Sequence, residues 1–105
     1  MIKQLLDGLG IPYAYDHFAE GEAPPVPYIC YLYPGSDNFG ADDKTYYKVS
    51  WIRIELYTDK KSPETETQIE DALDNEGIFY NKNEVYITDE KLYEVSYEFE
   101  GGSYA

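Results

Sequence analysis

The chain offers few side chains whose types and spacing suit catalysis or metal binding. Its single histidine, His17, follows Asp16 in YDHFAEGE, and its single cysteine, Cys30, lies in the apolar run YICYLY. A catalytic histidine needs a nucleophile or an orienting acid around it, and one adjacent aspartate does not establish such an arrangement. We therefore predict a surface histidine and a small buried cysteine that forms no internal disulfide.

Motifs of the common enzyme classes do not occur in the sequence. CxxC, HExxH, GxGxxG, GxxxxGK[ST] and GxSxG are all missing, so zinc, dinucleotide, P-loop and hydrolase sites lack their basic parts. Carboxylates are so abundant that any two would resemble a glycosidase pair, which carries no information without a pocket. We expect no catalytic residue, no metal ion and no cofactor, and hence a protein that is not an enzyme.

The segment YPGSDNFGADDKTYY, residues 33–47, has the composition of a long acidic loop. An EF-hand loop beginning at Asp37 would need an oxygen ligand where Phe39 stands and a glycine where Asp42 stands, so that pattern is not met. A looser cation site among Asp37, Asp42 and Asp43 stays open as an alternative.

An arm that contacts a partner is the interpretation we favour for this loop. An aromatic side chain such as Phe39 is costly to leave in water, and insertion into a neighbouring subunit would bury it. The alternative is that Phe39 folds back onto its own sheet. The predicted contact residues for a neighbouring subunit or another protein partner are Tyr33, Asp37, Asn38, Phe39, Asp42, Asp43, Tyr46 and Tyr47.

Size and charge restrict the classes of partner. With 105 residues, of which 43% are hydrophobic, the chain is expected to fold as a single domain, residues 1–105. The 21 acidic and 8 basic residues give a net charge of -13. Phosphate backbones and anionic membranes both attract cationic proteins, so we expect neither sequence-specific nucleic-acid binding nor membrane association. The N-terminus has too short an apolar stretch for a secretory signal, which indicates a cytosolic protein.

Apolar periodicity predicts an α+β fold, with a mainly antiparallel β-sheet packed on one face by two α-helices and a long loop between central strands. Ile52, Ile54 and Leu56 are predicted to form one apolar strand face. The predicted helices are residues 2–9 and 62–77, and the predicted strands are residues 28–33, 45–59, 78–81, 84–88 and 91–100, with a hairpin turn at Lys82–Asn83.

The second predicted helix has a standard amphipathic pattern. Ser62 suits the N-cap, Pro63 the first helical position and Gly77 the end. Its buried stripe is predicted to comprise Ile69, Ala72 and Leu73. Its acidic face, predicted to be solvated, comprises Glu66, Glu70, Asp71 and Asp74.

Residues 23–100 resemble the tail terminators, also called tail-completion or head–tail joining proteins, of long-tailed phages and prophages of Gram-positive bacteria. The resemblance rests on PPVPYICYLYPGSDNFGADD, on RIELYTDKKSPETE and on the closing LYEVSYEFE. It implies a subunit that assembles as a hexameric ring at the head-proximal end of the tail tube, stops tube growth and meets the head connector. The family has no fixed site motif, so no residue role is carried over.

The resemblance implies three partners, which are further copies of the chain, the tail-tube protein and the head connector protein. The expected location is the host cytoplasm during assembly and then the head–tail junction of the virion. Head closure, or another minor role in the tail or connector, is the nearest alternative. A third is an acidic DNA mimic that inhibits a nucleic-acid-binding enzyme, although carboxylates that alternate with tyrosines do not follow the spacing of phosphates.

Overall fold

The computed structural model describes the backbone of residues 2–41 and 44–101, and the side chains of residues 2–35 and 50–101. It has the predicted α+β architecture, a mostly antiparallel sheet with two helices. The elements in chain order are α1 (Ile2–Asp7), β1 (Tyr13–Tyr15), β2 (Tyr28–Leu32), β3 (Ser36–Ala41), β4 (Lys44–Thr58), α2 (Pro63–Asn75), β5 (Tyr80–Ile87) and β6 (Leu92–Glu100).

Five strands form the main sheet in the order β1-β2-β4-β6-β5. The short β1 runs parallel to β2, and every other neighbouring pair is antiparallel. The strand β3 pairs with β4 outside this order. The strand β2 lies inside the sheet, between β1 and β4.

One face of the sheet and both helices enclose the hydrophobic core. The predicted apolar face of β4 is confirmed, because Ile52, Ile54 and Leu56 have no exposed surface. Strand register places residues of β2 and β6 on the same face. The helices contribute Ile2, Leu6, Ile69 and Leu73, and the neighbouring strands contribute Ile29, Tyr31, Val95, Tyr97 and Phe99.

The two ends of α2 follow the local sequence. Ser62 holds the N-cap position but its hydroxyl makes no cap hydrogen bond, lying instead 2.7 Å from the hydroxyl of Thr65. Pro63 begins the helix and fits there because the first helical N–H has no partner within the helix. Gly77 adopts a φ of 68° just past the end, a conformation that favours glycine.

The predicted long loop is wrong for most of its length. Residues 36–41 form β3, and β4 begins at Lys44, so the two build a hairpin with Ala41 opposite Lys44. The predicted strand 45–59 nearly matches β4. A segment rich in glycine and aspartate has low β-propensity, and here pairing with a neighbouring strand outweighs that preference.

The predicted hairpin around Lys82–Asn83 is also wrong. These residues lie inside the continuous strand β5, and the hairpin instead joins β5 to β6, with Ile87 opposite Leu92. Lys91 takes a φ of 55° in that connection. Pairing along all of β5 with β6 outweighs a weak local turn signal.

The predicted solvated face of α2 is wrong at Glu66 and Glu70. Glu66 is only 6% exposed, and its carboxylate accepts from Lys61 at 2.9 Å and contacts Lys82 at 2.8 Å. Glu70 accepts from Lys82 at 2.7 Å and from the Tyr97 hydroxyl at 2.8 Å. We call this cluster the ionic latch, since it joins α2 to β5 and β6.

The latch lowers the pKa of its buried carboxylate. Burial alone would raise the pKa of Glu66, but hydrogen bonds from Lys82 and Lys61 outweigh burial and hold it below the usual 4.5. Asp71 and Asp74, further along the helix, are exposed as predicted.

We expect Glu66→Gln to lower the free energy of unfolding by about 1–3 kcal/mol at pH 7, because a buried polar group loses its charge pairing with two lysines. The matched control, Asp71→Asn, removes an exposed charge from the same helix and is expected to change stability by about 0.5 kcal/mol or less. Urea denaturation followed by circular dichroism measures both. Equal stability of Glu66→Gln and the unmodified protein would contradict a stabilising latch.

The stabilisation that Glu66 provides is expected to depend on pH. The pKa of Glu66 is lowered on folding, so its stabilisation is present above the usual value of 4.5 and is lost as pH falls through the lower folded value. The stability difference between the unmodified protein and Glu66→Gln is therefore expected to shrink from pH 6 to pH 3. A difference that grows on acidification would contradict this sign.

Candidate interaction surfaces

The strand β3 and residues 44–50 of β4 form a hairpin that extends past the main sheet. We call this hairpin the arm. Pairing of β4 with β6 begins at Trp51, and its pairing with β2 begins at Arg53. At about 3.3 Å per residue, residues 44–50 span roughly 20 Å. The radius of gyration is 15.1 Å, against about 13 Å for a compact domain of this length. The molecule is therefore elongated.

The base of the arm is held by backbone hydrogen bonds on both sides of β4. The Trp51 N–H donates to the Gly35 carbonyl at 3.0 Å, and the Gly101 N–H donates to the Ser50 carbonyl at 2.5 Å. A Cβ at position 101 would lie 3.1 Å from the Ser50 oxygen and 3.2 Å from the Ile52 side chain. Glycine therefore permits the close approach of the chain after β6 to the arm.

One edge of the arm is open within the part of the chain that the structure describes. Residues 44–49 of β4 pair with β3 on one side, whereas on the other side β6 and Gly101 pair with β4 only from Ser50 onward. The register between β3 and β4 shifts after Phe39, which faces Tyr47, and passes over Tyr46. Unpaired N–H and C=O groups along such an edge are a template for pairing with another chain.

The predicted contact residues largely converge on this arm. Tyr33 precedes it and is 39% exposed, while Asp42 and Asp43 lie outside the described residues. Five more lie on the arm, and their side chains are outside the described residues. Insertion of Phe39 into a neighbouring subunit and a cation site among the aspartates therefore stay predictions. The five on the arm are Asp37, Asn38, Phe39, Tyr46 and Tyr47.

A second surface is the open face, the side of the main sheet that does not meet the helices. Strand register aligns its residues in rows across β2, β4 and β6. The three central rows are Tyr28–Tyr57–Glu94, Cys30–Glu55–Ser96 and Leu32–Arg53–Glu98.

Negative charge on the open face is only partly compensated. Arg53 donates to Glu98 through Nε at 3.2 Å and Nη2 at 3.0 Å, but its Nη1 lies 3.8 Å from Glu55. The Glu55 side chain is 13% exposed, and burial raises its pKa despite a hydrogen bond from the Tyr57 hydroxyl. Glu55 is therefore a largely buried carboxylate whose cationic neighbour, Arg53, is engaged more closely by Glu98.

A pocket of about 230 Å³ opens beside these rows. Its aromatic walls are the stacked rings of Tyr28 and Tyr57, with centroids 5.2 Å apart, and Phe18, whose ring meets Tyr28 edge-on at 5.3 Å. The other lining residues are Asp16, His17, Ala23, Cys30, Ile87 and Glu90.

The pocket brings together His17 and Cys30, two residues that no sequence motif connects. His17 Nδ1 lies 2.8 Å from the Asp16 carboxylate, and the ring is 76% exposed, as predicted for a surface histidine. Cys30 is buried, also as predicted. The link is the parallel pairing that sets Ala14 opposite Cys30 and brings the residues after β1 over β2.

The thiol of Cys30 is not activated by these neighbours. Burial first, and then the negative charges of Glu55 and Asp16, raise its pKa to about 11. A nucleophilic cysteine needs a lowered pKa and a positive environment, whereas this pocket is negative. The arrangement therefore favours binding over covalent chemistry.

Within residues 2–41 and 44–101, no group of three or more His, Cys, Asp or Glu side chains is placed to hold a metal ion. No helix of the described chain is long and apolar enough to cross a membrane. No protein-family model and no curated protein matches the sequence. Functional inference therefore rests on the arm, the open face and the pocket.

We expect Cys30 to be alkylated by iodoacetamide roughly 100-fold more slowly at pH 7.5 than an ordinary thiol, because a rise in pKa from 9.0 to about 11 cuts the thiolate fraction by that factor. The control is the same protein in 8 M urea, where the rate of an exposed cysteine is expected to return. Rapid labelling of the folded protein would show that the thiol is activated.

Glu55→Gln and Glu98→Gln are expected to change stability in opposite directions at pH 7. Burial raises the pKa of Glu55, so its charge opposes folding at neutral pH, and the neutral glutamine is expected to raise the free energy of unfolding by about 0.5–1 kcal/mol. Glu98→Gln loses the ion pair with Arg53 and is expected to cost about 0.2–1 kcal/mol. Chemical denaturation measures both changes, and a loss of stability in Glu55→Gln would contradict the assignment.

Proposed function

We propose that this chain is a non-enzymatic assembly subunit, a tail terminator that forms a ring on a phage tail tube and joins it to the head connector. The β3–β4 arm carries the proposal. Among the described residues, 44–49 of this hairpin have a strand partner on one side alone. Such an edge can add to a sheet of a neighbouring subunit, and this addition gives affinity through main-chain hydrogen bonds. The resemblance of residues 23–100 to tail terminators supplies the identity of the assembly.

The charge of the subunit is compatible with this role. A ring that surrounds DNA without gripping it avoids cationic contacts to phosphates, and the chain carries a net charge of -13. The open face contributes Glu55, Glu94 and Glu98 against Arg53. An acidic surface of this kind would let a duplex pass.

A DNA mimic is supported less well than an assembly subunit. A mimic needs carboxylates that are free to bind a basic protein, but Glu66, Glu70 and Glu84 are engaged by Lys61 and Lys82 within the subunit. Salt separates the two functions, because a complex with a mimic would weaken steeply with ionic strength and β-strand addition would not.

Replacing residues 37–49 by Asn-Gly removes the arm and leaves Ser36 and Ser50, which already face each other, joined by a two-residue turn. We expect the variant to remain folded, because the core residues among the described side chains all lie outside the arm, and to lose self-association and binding to tail tubes. Sedimentation velocity and co-sedimentation with purified tubes measure these properties. A folded variant that still assembles would exclude the arm as the contact.

The physiological test is deletion of the gene from the phage or prophage that carries it, with the lysate viewed by negative-stain electron microscopy. We expect filled heads beside detached tails of irregular, excessive length. Tails of normal length with heads that leak DNA would assign the protein to head closure. Intact infectious particles would exclude both assembly functions, and complementation with the unmodified gene is the control.

A further inference from the structure

We infer that the open-face pocket binds a cationic side chain, arginine or lysine, that a partner protein presents. The inference does not depend on the proposed tail-terminator function, because it rests on the walls and charges of the pocket alone. Nothing in the core or the ionic latch requires the pocket to be there.

The walls of the pocket have the aromatic character that cations recognise. Tyr28 and Tyr57 stack with an interplanar angle of 29°, and Phe18 meets Tyr28 at 80°. The negative face of an aromatic ring attracts an ammonium or guanidinium group, most strongly when water is partly excluded. Three aromatic rings at one pocket therefore suit a cation with an apolar stem, such as the side chain of lysine or arginine.

The charges around the pocket have one sign. Asp16 and Glu90 line it, and Glu55 accepts a hydrogen bond from the Tyr57 hydroxyl at 3.0 Å. Among the charged groups of the lining, His17 alone can become positive, and its ring is directed to Asp16. A cation entering the pocket would therefore meet the carboxylates of Asp16 and Glu90, with Glu55 beside Tyr57.

The pKa shifts of neighbouring groups are consistent with this negative potential. After burial, the largest influence on Cys30 is the charge of Glu55, followed by Asp16. Burial and then the charges of Glu55 and Glu94 raise the pKa of Tyr57. Burial and then nearby groups that include Glu90 raise the pKa of Tyr28.

The size and position of the pocket favour a side chain on a protein over an anion or a neutral ligand. A volume of about 230 Å³ equals that of roughly eight liquid waters, which accommodates the end of an arginine or lysine side chain. Tyr28 and Tyr57 also belong to the rows of the open face, so a partner segment can lie on this acidic face while one of its cations enters the pocket.

The test is a titration of the ¹⁵N-labelled protein with acetyl-Gly-Arg-Gly-amide, followed by two-dimensional NMR at low salt. We expect saturable shifts of the amides of Phe18, Tyr28, Cys30 and Tyr57. The lysine peptide is expected to bind the same residues, and the neutral polar control, acetyl-Gly-Gln-Gly-amide, is expected to bind at least 10-fold more weakly. Similar binding of the glutamine peptide would overturn the assignment of a cation site.

Three variants and a control identify the source of the affinity. Glu90→Gln and Asp16→Asn each remove one charge at exposed positions, and asparagine tolerates the φ of 65° at position 16. Each is expected to weaken binding 3- to 10-fold, and Phe18→Leu, which keeps an apolar wall without a ring, 2- to 5-fold. The control Asp71→Asn removes an exposed charge from α2 and is expected to bind as the unmodified protein does.

Two results would overturn the inference in specific ways. Equal weakening by Asp71→Asn and Glu90→Gln would show attraction to net charge without a site. Binding of free guanidinium ion as tight as that of the arginine peptide would assign the pocket to small organic cations in place of a protein side chain. Retained amide dispersion in each variant establishes that its fold is intact.

Discussion

The structure depends on one strand that serves two purposes. Residues 51–58 of β4 lie between β2 and β6, and the side chains of Ile52, Ile54 and Leu56 contribute to the centre of the core. The same strand continues into the arm, where β3 is its described partner. Burial of these three side chains holds residues 51–58 of β4 in place against the core. Residues 44–50 continue the same extended strand, so the position of the core half of β4 sets the direction in which the arm leaves the sheet.

The two faces of the sheet differ in how closely their carboxylates are paired with cations. On the helix side, lysines meet Glu66 and Glu70 at 2.7–2.9 Å, and the carboxylates stay ionised as part of the packing. On the open face Glu55 is partly buried with Arg53 no closer than 3.8 Å. Burying charge with its partners satisfied supports a fold, whereas burying it without them costs free energy. Glu55, which is only weakly paired, accepts a hydrogen bond from Tyr57 at the pocket, and an external cation bound there would stabilise its charge.

The sequence predicts what local periodicity determines and misses what distant pairing determines. Alternation in β4 and β6 and the amphipathic stripe of α2 are explicit in the residue order, so the apolar face of Ile52 and the ends near Pro63 and Gly77 could be anticipated. Formation of β3 depends on β4, and burial of Glu66 depends on lysines that approach only in three dimensions. The pocket is still less accessible to sequence reasoning, because it arises from the parallel pairing of β1 with β2.

An open strand edge also has a colloidal consequence. Such an edge invites identical chains to pair without limit, and proteins commonly guard against this with charge. Here every copy carries a net charge of -13, so two free copies repel each other over a distance set by the ionic strength. Such repulsion opposes uncontrolled pairing of free copies. If the chain assembles as proposed, the surface on which it assembles must offset that repulsion, so the acidic composition would affect when association occurs as well as which partner is chosen.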